Sequence, residues 1–311
     1  MQPWQQVVTR PELMRVLKRI AIQPSNGYLF LGMRGSGKRF ITRHVAAELL
    51  RLDDVDAVQH HPDFLVLARE EGAKEIKVKQ ARDLIARLSL TSAKGGHQVV
   101  VIEDIDRLNE ESANSLLKLI EEPPKGVVFL CTTDREERVM GTIRSRLVPI
   151  RFLALDTVTI QQELMERGVK PDEAGIAATY AHGAIGTALS LVNELDRVTR
   201  DREEAIRFVR ILVEGNPGRV VSEVDRLAKR CQYAEDSEQA WEDELLLLQS
   251  ASNTVMKQDG ERSRDVAQAI VWAWRLLGTA VSPHLALEWG ALKPYRSEQD
   301  RIPTFIKTLF V

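Results

Sequence analysis

The chain has 311 residues, of which 44% are hydrophobic and 28% are charged, and a chain of that length can bury roughly three quarters of its unfolded surface without disulfides or metals. Lys and Arg total 43 and Asp and Glu total 45, for a net charge of −2, which excludes a protein that holds nucleic acid by bulk charge alone. Cys131 and Cys231 share no ligand spacing, which excludes a disulfide framework and a four-thiolate zinc site.

The first half of the chain alternates short apolar runs with amphipathic segments, the pattern of a parallel sheet flanked by helices. The apolar runs are predicted as strands at 28–31, 64–67, 99–102, 127–131 and 147–152. Helices are predicted at 38–51, 77–88 and 110–122. The run at 99–102 reads VVVI, which is typical of a strand buried on both faces.

Beyond residue 153 the sequence predicts helices alone. Residues 156–194 read as short helices divided by glycine and proline, and longer helices follow from about residue 197, for instance at 240–256 and 266–277. We therefore expect an α/β fold followed by an all-α region. The expected domains are a parallel-sheet domain at 1–153, a small helical domain at 154–196 and a larger helical domain at 197–311.

Residues 32–38 read GMRGSGK and match the phosphate-loop pattern G-x-x-x-x-G-K at a predicted strand-to-helix junction. In such a loop, backbone N–H groups and the helix N-terminus hold phosphate oxygens, and the lysine reaches the outer phosphates. The alternative is a glycine turn with an exposed lysine. The candidate residues for binding ATP or ADP are Gly32, Gly35, Ser36, Gly37, Lys38 and Arg39.

Arg39 departs from the pattern of a hydrolytic loop. A Ser or Thr at this position supplies a hydroxyl to Mg²⁺, whereas an arginine cannot ligate a cation and adds positive charge where the metal would lie. We therefore expect this chain to hydrolyse ATP weakly or not at all.

An acidic pair, Glu103 and Asp104, follows the strand predicted at 99–102. In P-loop ATPases the first carboxylate of such a pair holds Mg²⁺ through water and the second polarises the attacking water. Glu103 is thus a candidate magnesium residue, and Asp104 stands at the position of the base with a side chain one methylene shorter. A displacement of about 1 Å can lower a rate on the order of a hundredfold. A strand that ends in solvated acids is the alternative.

Longer runs carry a resemblance to a known family. Residues 103–109 read EDIDRLN, residues 113–124 read ANSLLKLIEEPP, and TTD at 132–134 and TIRSR at 142–146 follow in order. The sequence resembles the clamp-loader AAA+ family, in which an acidic pair precedes the motif A-N-x-L-L-K-x-L-E-E-P-P. The resemblance is strong over 28–152 and looser beyond.

The resemblance implies roles for single residues. Thr133 occupies the first sensor position, which reads the γ-phosphate or its attacking water. Arg146 occupies the arginine-finger position, from which a guanidinium would neutralise charge on a neighbouring subunit's γ-phosphate; a surface salt bridge is the alternative. Gly186 and Thr187 stand where the family's lid carries a sensor arginine.

By the same resemblance, the chain has a AAA+ P-loop domain, a helical lid and a helical collar that oligomerises. The implied function is in the ring that opens a sliding clamp and places it on primed DNA for the replicative DNA polymerase. The implied partners are sister subunits of the γ/τ and δ types, the clamp and the DNA backbone. The family often inserts a four-cysteine zinc module before His61, but residues 52–60 contain no cysteine, so no zinc is expected.

The departures together predict a subunit that assists a neighbour's ATP hydrolysis and is a poor ATPase itself. One alternative is an active ATPase subunit of the γ/τ type, against which Arg39, Asp104 and Gly186 count. A small-molecule kinase with a P-loop would leave the helical half unexplained. A stand-alone ring motor acting on DNA junctions is disfavoured by the weak catalytic set.

Contact with DNA is expected to be confined to phosphates, since the sequence shows no aromatic and basic platform for single strands. The candidate segments are the helix near Lys77 and residues 91–94. No run approaches the roughly eighteen apolar residues of a membrane span, and the N-terminal MQPW lacks the features of a signal peptide. We therefore expect a cytoplasmic protein with no membrane partner.

Overall fold

The computed structural model of the protein describes Trp4 and residues 7–70, 72–88, 96–234, 237–255, 261–277 and 282–292. The chain divides into two units, Met1–Asn193 and Glu194–Val311. The segment 91–94, a candidate for DNA contact, lies outside the described residues, and Lys77 lies within them.

A parallel sheet forms the centre of the first unit. Its strands are β1 (Gly27–Leu31), β2 (Phe64–Leu67), β3 (Gln98–Ile102), β4 (Val127–Thr133) and β5 (Val148–Arg151). They lie side by side in the order β2-β3-β4-β1-β5, with Phe129 of β4 opposite Val100 on one side and Gly27 on the other. All the strands predicted from the sequence are confirmed, with ends shifted by at most two residues. Because the strands are parallel, the loops after β3, β4 and β1 emerge at the same edge.

Helices cover both faces of this sheet, which explains why its central strands are apolar throughout. They are α1 (Pro11–Ile22), α2 (Lys38–Leu49), α3 (Val78–Leu88), α4 (Glu110–Glu121) and α5 (Gly141–Arg144). Phe30 of β1 packs in a core with α1 and α2, whereas its neighbour Leu29 packs in the opposite core with α3, α4 and α5. Both side chains are fully buried.

Two helices in this unit show how local chemistry sets helix boundaries. The sequence patterns assign no element before residue 28, yet α1 forms there with Pro11 in its first turn, where a missing N–H costs nothing. The helix predicted at 110–122 begins after Asn109, whose side chain accepts the N–H of Ser112. It ends at Glu121, because Pro123 and Pro124 cannot continue a helix.

Three short helices complete the first unit: α6 (Thr157–Glu166), α7 (Pro171–Tyr180) and α8 (Ile185–Val192). Asp156 caps α6, since its carboxylate accepts hydrogen bonds from the N–H and the hydroxyl of Thr159. These bonds lower the pKa of Asp156. Ile160, Leu164 and Ala177 are fully buried between the helices. The three helices belong to the same unit as the sheet, and the finer division at 153 stays a prediction.

The second unit is helical over its described residues. Its helices are α9 (Leu195–Glu214), α10 (Pro217–Gln232), α11 (Ser237–Val255), α12 (Glu261–Leu276) and α13 (His284–Leu292). The helix predicted at 266–277 begins earlier, at Glu261. Its first turn is polar and carries no apolar periodicity, so the sequence pattern does not include that turn. The tryptophans of this half, Trp241, Trp272, Trp274 and Trp289, lie in or against the core.

None of the helices in the described part of the chain combines the length and the apolar character needed to cross a lipid bilayer.

The two units have separate cores, which leads to a prediction about truncation. The cores around the sheet draw on residues between Val7 and Phe152, and the core of the second unit draws on residues between Ala205 and Leu292. A fragment of residues 1–193 should therefore fold alone and unfold in a single cooperative transition in urea, followed by circular dichroism. A gradual loss of signal without a transition would contradict the separation of the cores.

Candidate functional site

The phosphate-loop motif lies between the end of β1 and the start of α2. Gly35 and Gly37 have φ angles of 73° and 89°, a backbone conformation that glycine adopts without steric cost. These turns let α2 begin directly at Lys38. The first N–H groups of a helix have no partner within it, so the start of α2 is suited to bind an anion.

Lys38 is turned back toward its own loop. Its side chain is buried, and Nζ donates to the carbonyl oxygens of Gly32 at 2.5 Å and Met33 at 3.0 Å. Burial lowers the pKa of Lys38, and the nearby carboxylate of Asp134 opposes that shift. An ammonium group has three N–H donors, so one remains for a phosphate oxygen.

Arg39 binds both members of the acidic pair that follows β3. Its Nε lies 3.1 Å from Oε2 of Glu103, and its Nη2 lies 2.7 Å from Oδ2 of Asp104. The two carboxylates are mostly covered, with side chains 18% and 31% exposed. The guanidinium therefore lies on the carboxylates that the sequence assigns to the metal and to the base.

This arrangement does not fit a magnesium ion. One oxygen of each carboxylate is already paired with a guanidinium, which is not deprotonated in proteins. Among the described residues, no group of three or more His, Cys, Asp or Glu side chains is placed to hold a metal. The candidate magnesium role of Glu103 would require this carboxylate to give up its ion pair with Arg39.

Thr133, the candidate sensor, forms a hydrogen bond with a buried carboxyl group. Its hydroxyl donates to Oδ1 of Asp106 at 2.5 Å and accepts the N–H of Arg135 at 3.0 Å. Burial raises the pKa of Asp106, although the hydrogen bond from Thr133 lowers it. Asp106 lies in the EDIDRLN motif, yet its pairing with Thr133 was not evident from sequence. The signal that could have revealed it is a third acid placed just after the acidic pair.

The short helix α8 lies directly against the phosphate loop. The N–H of Gly186 donates to the carbonyl oxygen of Gly35 at 2.8 Å, and the side chain of Thr187 packs on the same glycine. The hydroxyl of Ser36 is buried with no hydrogen-bond partner among the described residues. A Cβ atom at Gly186 would lie 2.8 Å from the carbonyl oxygen of Gly35, so the close approach of the two backbones depends on a glycine at this position.

Arg146, the candidate arginine finger, is held by groups near it in its own chain. Its Nη1 donates to the carbonyl oxygen of Thr142 at 2.6 Å and to the hydroxyl of Ser145 at 3.3 Å. Its Nη2 forms an ion pair with Glu121, at the end of α4. The side chain of Arg146 remains 35% exposed, so the guanidinium is accessible from solvent.

Comparison with known proteins relates the first unit to a described family. Residues 9–156 match the family model described as DNA polymerase III, delta subunit. The chain is 37% identical over 139 residues to DNA polymerase III subunit delta′ of Pseudomonas aeruginosa, covering 40% of this chain and 42% of that protein.

Two further relatives extend the similarity. DNA polymerase III subunit tau of Escherichia coli is 29% identical over 236 residues, which are 66% of this chain and 37% of that protein. DNA polymerase III subunit delta′ of Bacillus subtilis is 28% identical over 200 residues, which are 60% of each chain. The chain therefore spans less than two thirds of the length of these delta′ and tau relatives.

Solved structures confirm the fold. A gamma subunit-related protein of DNA polymerase III from Thermotoga maritima aligns with 91% of this chain and 100% of its own, with a TM-score of 0.52 at 16% identity. A RuvB variant from the same organism aligns with 76% of this chain and 85% of its own, with a TM-score of 0.51 at 17% identity. The fold is the AAA+ P-loop fold expected from the clamp-loader motifs.

The contact between α8 and the phosphate loop can be tested by comparing alanine substitutions at two glycines of the loop, Gly35 and Gly37. A methyl group on Gly35 would overlap Thr187, whereas one on Gly37 would meet nothing within 4 Å. Both positions have positive φ, so alanine at either should cost about 1–2 kcal/mol. Gly35→Ala should lower the free energy of unfolding by about 1–3 kcal/mol more than Gly37→Ala, because it also overpacks. Urea titrations of the two variants measure the difference.

Removing the hydroxyl and methyl of Thr187 provides the control. Thr187→Ala should recover part of the stability lost in Gly35→Ala and none of that lost in Gly37→Ala. Equal losses in the two glycine variants would show that α8 does not rest on the loop.

Proposed function

We propose that the protein is a clamp-loader subunit of the δ′ type, a cytoplasmic component of the replicative DNA polymerase holoenzyme. In this role it helps the ring open a sliding clamp and place it on primed DNA. Sister subunits of the γ/τ and δ types are its direct partners. The match of residues 9–156 to the delta-subunit family model and the similarity to delta′ subunits support this assignment.

The observation that carries the proposal is the ion pair of Arg39 with Glu103 and Asp104. Hydrolysis needs one carboxylate free to hold a metal and one free to polarise water. Here both face a permanent cation, and the hydroxyl of Thr133 is committed to Asp106. The subunit is therefore a poor ATPase, and its contribution to the ring is structural and electrostatic.

Nucleotide binding without hydrolysis is compatible with this site. Phosphates of ATP or ADP would be held by the N–H groups at the start of α2 and by the remaining donor of Lys38. The tie between Gly186 and Gly35 places α8 over the loop. Movement of α8 is then a condition for nucleotide entry.

Arg146 is the residue through which the subunit would act on a neighbour. A guanidinium delivered across an interface stabilises the charge that develops on a transferring phosphoryl group, and such arginines are worth about 10³–10⁵ in rate. Arg146 is partly exposed and its planar fork suits two phosphate oxygens. Arg146 would thus complete the ATPase site of a neighbouring subunit, although this chain's own site is not suited to hydrolysis.

An active ATPase subunit of the γ/τ type is the second candidate. The similarity to the tau subunit of Escherichia coli, which covers 66% of this chain, favours it. Arg39 counts against it, because a permanent cation on both carboxylates competes with the metal and with the base function.

The first test is equilibrium binding of ATP to the isolated protein in Mg²⁺ or in EDTA. Wild-type affinity should be the same in both, because Arg39 is already paired with both carboxylates that would face Mg²⁺. Arg39→Thr frees Glu103 and Asp104 and supplies a hydroxyl, so its affinity should rise about tenfold with Mg²⁺, or about 1.4 kcal/mol. Arg43→Thr is the matched control: it removes the same charge from an exposed position of α2 and should leave binding independent of Mg²⁺.

Turnover separates the two candidates. The isolated wild-type chain should hydrolyse ATP no faster than the background, and Lys38→Ala should not change that. A brisk rate that Lys38→Ala abolishes would favour the γ/τ-type candidate.

The second test concerns Arg146 in the reconstituted ring. Arg146→Ala should reduce DNA- and clamp-stimulated ATP turnover by silencing one site, and Arg146→Lys should do little better because a point charge does not replace the fork. Folding of the isolated chain should be unchanged, since the side chain is partly exposed. Arg144→Ala removes a nearby exposed arginine and should have a smaller effect. Full activity of Arg146→Ala would remove the finger from the proposal.

A further inference from the structure

The ion pair between Arg146 and Glu121 uses the part of the guanidinium that a phosphate would need. Both terminal nitrogens of Arg146 are engaged: Nη1 by Thr142 and Ser145, and Nη2 by Glu121. A two-pronged grip on a phosphate requires two adjacent N–H donors on one edge of the guanidinium. Each edge of the group includes Nη1 or Nη2, so the acceptors on these two nitrogens compete with a phosphate for the fork.

We propose that Glu121 is an autoinhibitory latch, which holds the arginine finger within its own subunit until a neighbour's nucleotide competes for it. The proposal rests on the finger role of Arg146 given above and adds its regulation. Glu121 is a carboxylate and the competing group is a phosphate, which is an acceptor with more negative charge. The exchange needs no rearrangement of the backbone, since it replaces one acceptor on the guanidinium with another.

The position of Glu121 indicates that it serves a partner rather than its own helix. It is the last residue of α4, and a negative charge at a helix C-terminus is unfavourable to the helix dipole. The helix end is held firmly, because Ile120 is buried in the core and prolines follow at 123 and 124. The carboxylate is thus presented to Arg146 from a rigid element.

The pair is also suited to release. The side chains of Arg146 and Glu121 are 35% and 40% exposed, and ion pairs with this exposure are weak and screened by salt. The ion pair with Glu121 therefore favours the position of Arg146 within its own subunit, and a phosphate, as a stronger acceptor, can replace Glu121. Arg39 differs in its partners: its own side chain is 57% exposed, but it binds two carboxylates, which are 18% and 31% exposed.

ATP turnover of the reconstituted ring, measured with and without clamp and primed DNA, tests the latch. Glu121→Gln keeps the size of the side chain and removes its charge. It should raise unstimulated turnover about twofold to fivefold, the range expected for a partly exposed ion pair, and leave stimulated turnover unchanged. The added turnover should disappear in the Glu121→Gln, Arg146→Ala double variant.

Glu122→Gln is the matched control. Glu122 is the adjacent exposed acid, and among the described residues it has no ion-pair partner. The variant removes the same charge one position along and should behave as wild type.

The failures of the two proposals are distinguishable. If Arg146→Ala leaves stimulated turnover intact, the finger role itself is wrong. If Arg146→Ala silences a site but Glu121→Gln matches wild type, lowers stimulated turnover or gives the same rise as Glu122→Gln, the finger stands and the latch is overturned.

Discussion

The parallel order of the central strands is the constraint on which the candidate site depends. Because β4 lies between β3 and β1, the acidic pair after β3, the threonine at the end of β4 and the phosphate loop after β1 meet at one edge of the sheet. Two apolar cores, one on each face, hold these strand ends in register. The contacts of Arg39, Thr133 and Lys38 all follow from that geometry.

At this edge the protein satisfies its charges internally. Arg39 pairs with Glu103 and Asp104, Thr133 hydrogen-bonds to Asp106, and Lys38 donates to carbonyl oxygens of its own loop. In a hydrolytic P-loop site the corresponding side chains would instead contact a metal ion, a water molecule and a phosphate. The site keeps the architecture of a nucleotide site while its polar groups are already occupied by one another.

The two arginines of interest differ in how firmly they are held, and that difference matches the roles proposed for them. Arg39 pairs with two carboxylates, both more covered than Glu121. Arg146 has one carboxylate partner and otherwise neutral acceptors, so less negative charge holds its guanidinium in place. A guanidinium cannot be deprotonated in proteins, so in both cases the partners, and not the protonation state, decide what the arginine can do.

The sequence by itself determined the strands, most of the helices, the phosphate loop and its departure at Arg39, because apolar patterning, glycine conformation and side-chain chemistry act over a few neighbouring residues. The apolar runs and motifs do not include α1, although Pro11 in its first turn and its apolar residues at helical spacing are a local signal for a helix. Only the tertiary structure decided the partners of the polar groups: Asp104 for Arg39, 65 residues away, Asp106 for Thr133, Gly35 for Gly186 and Glu121 for Arg146. These partners are distant in sequence, and which of many charged groups each side chain reaches depends on strand order and on the direction of its helix or loop, neither of which is encoded in local pattern.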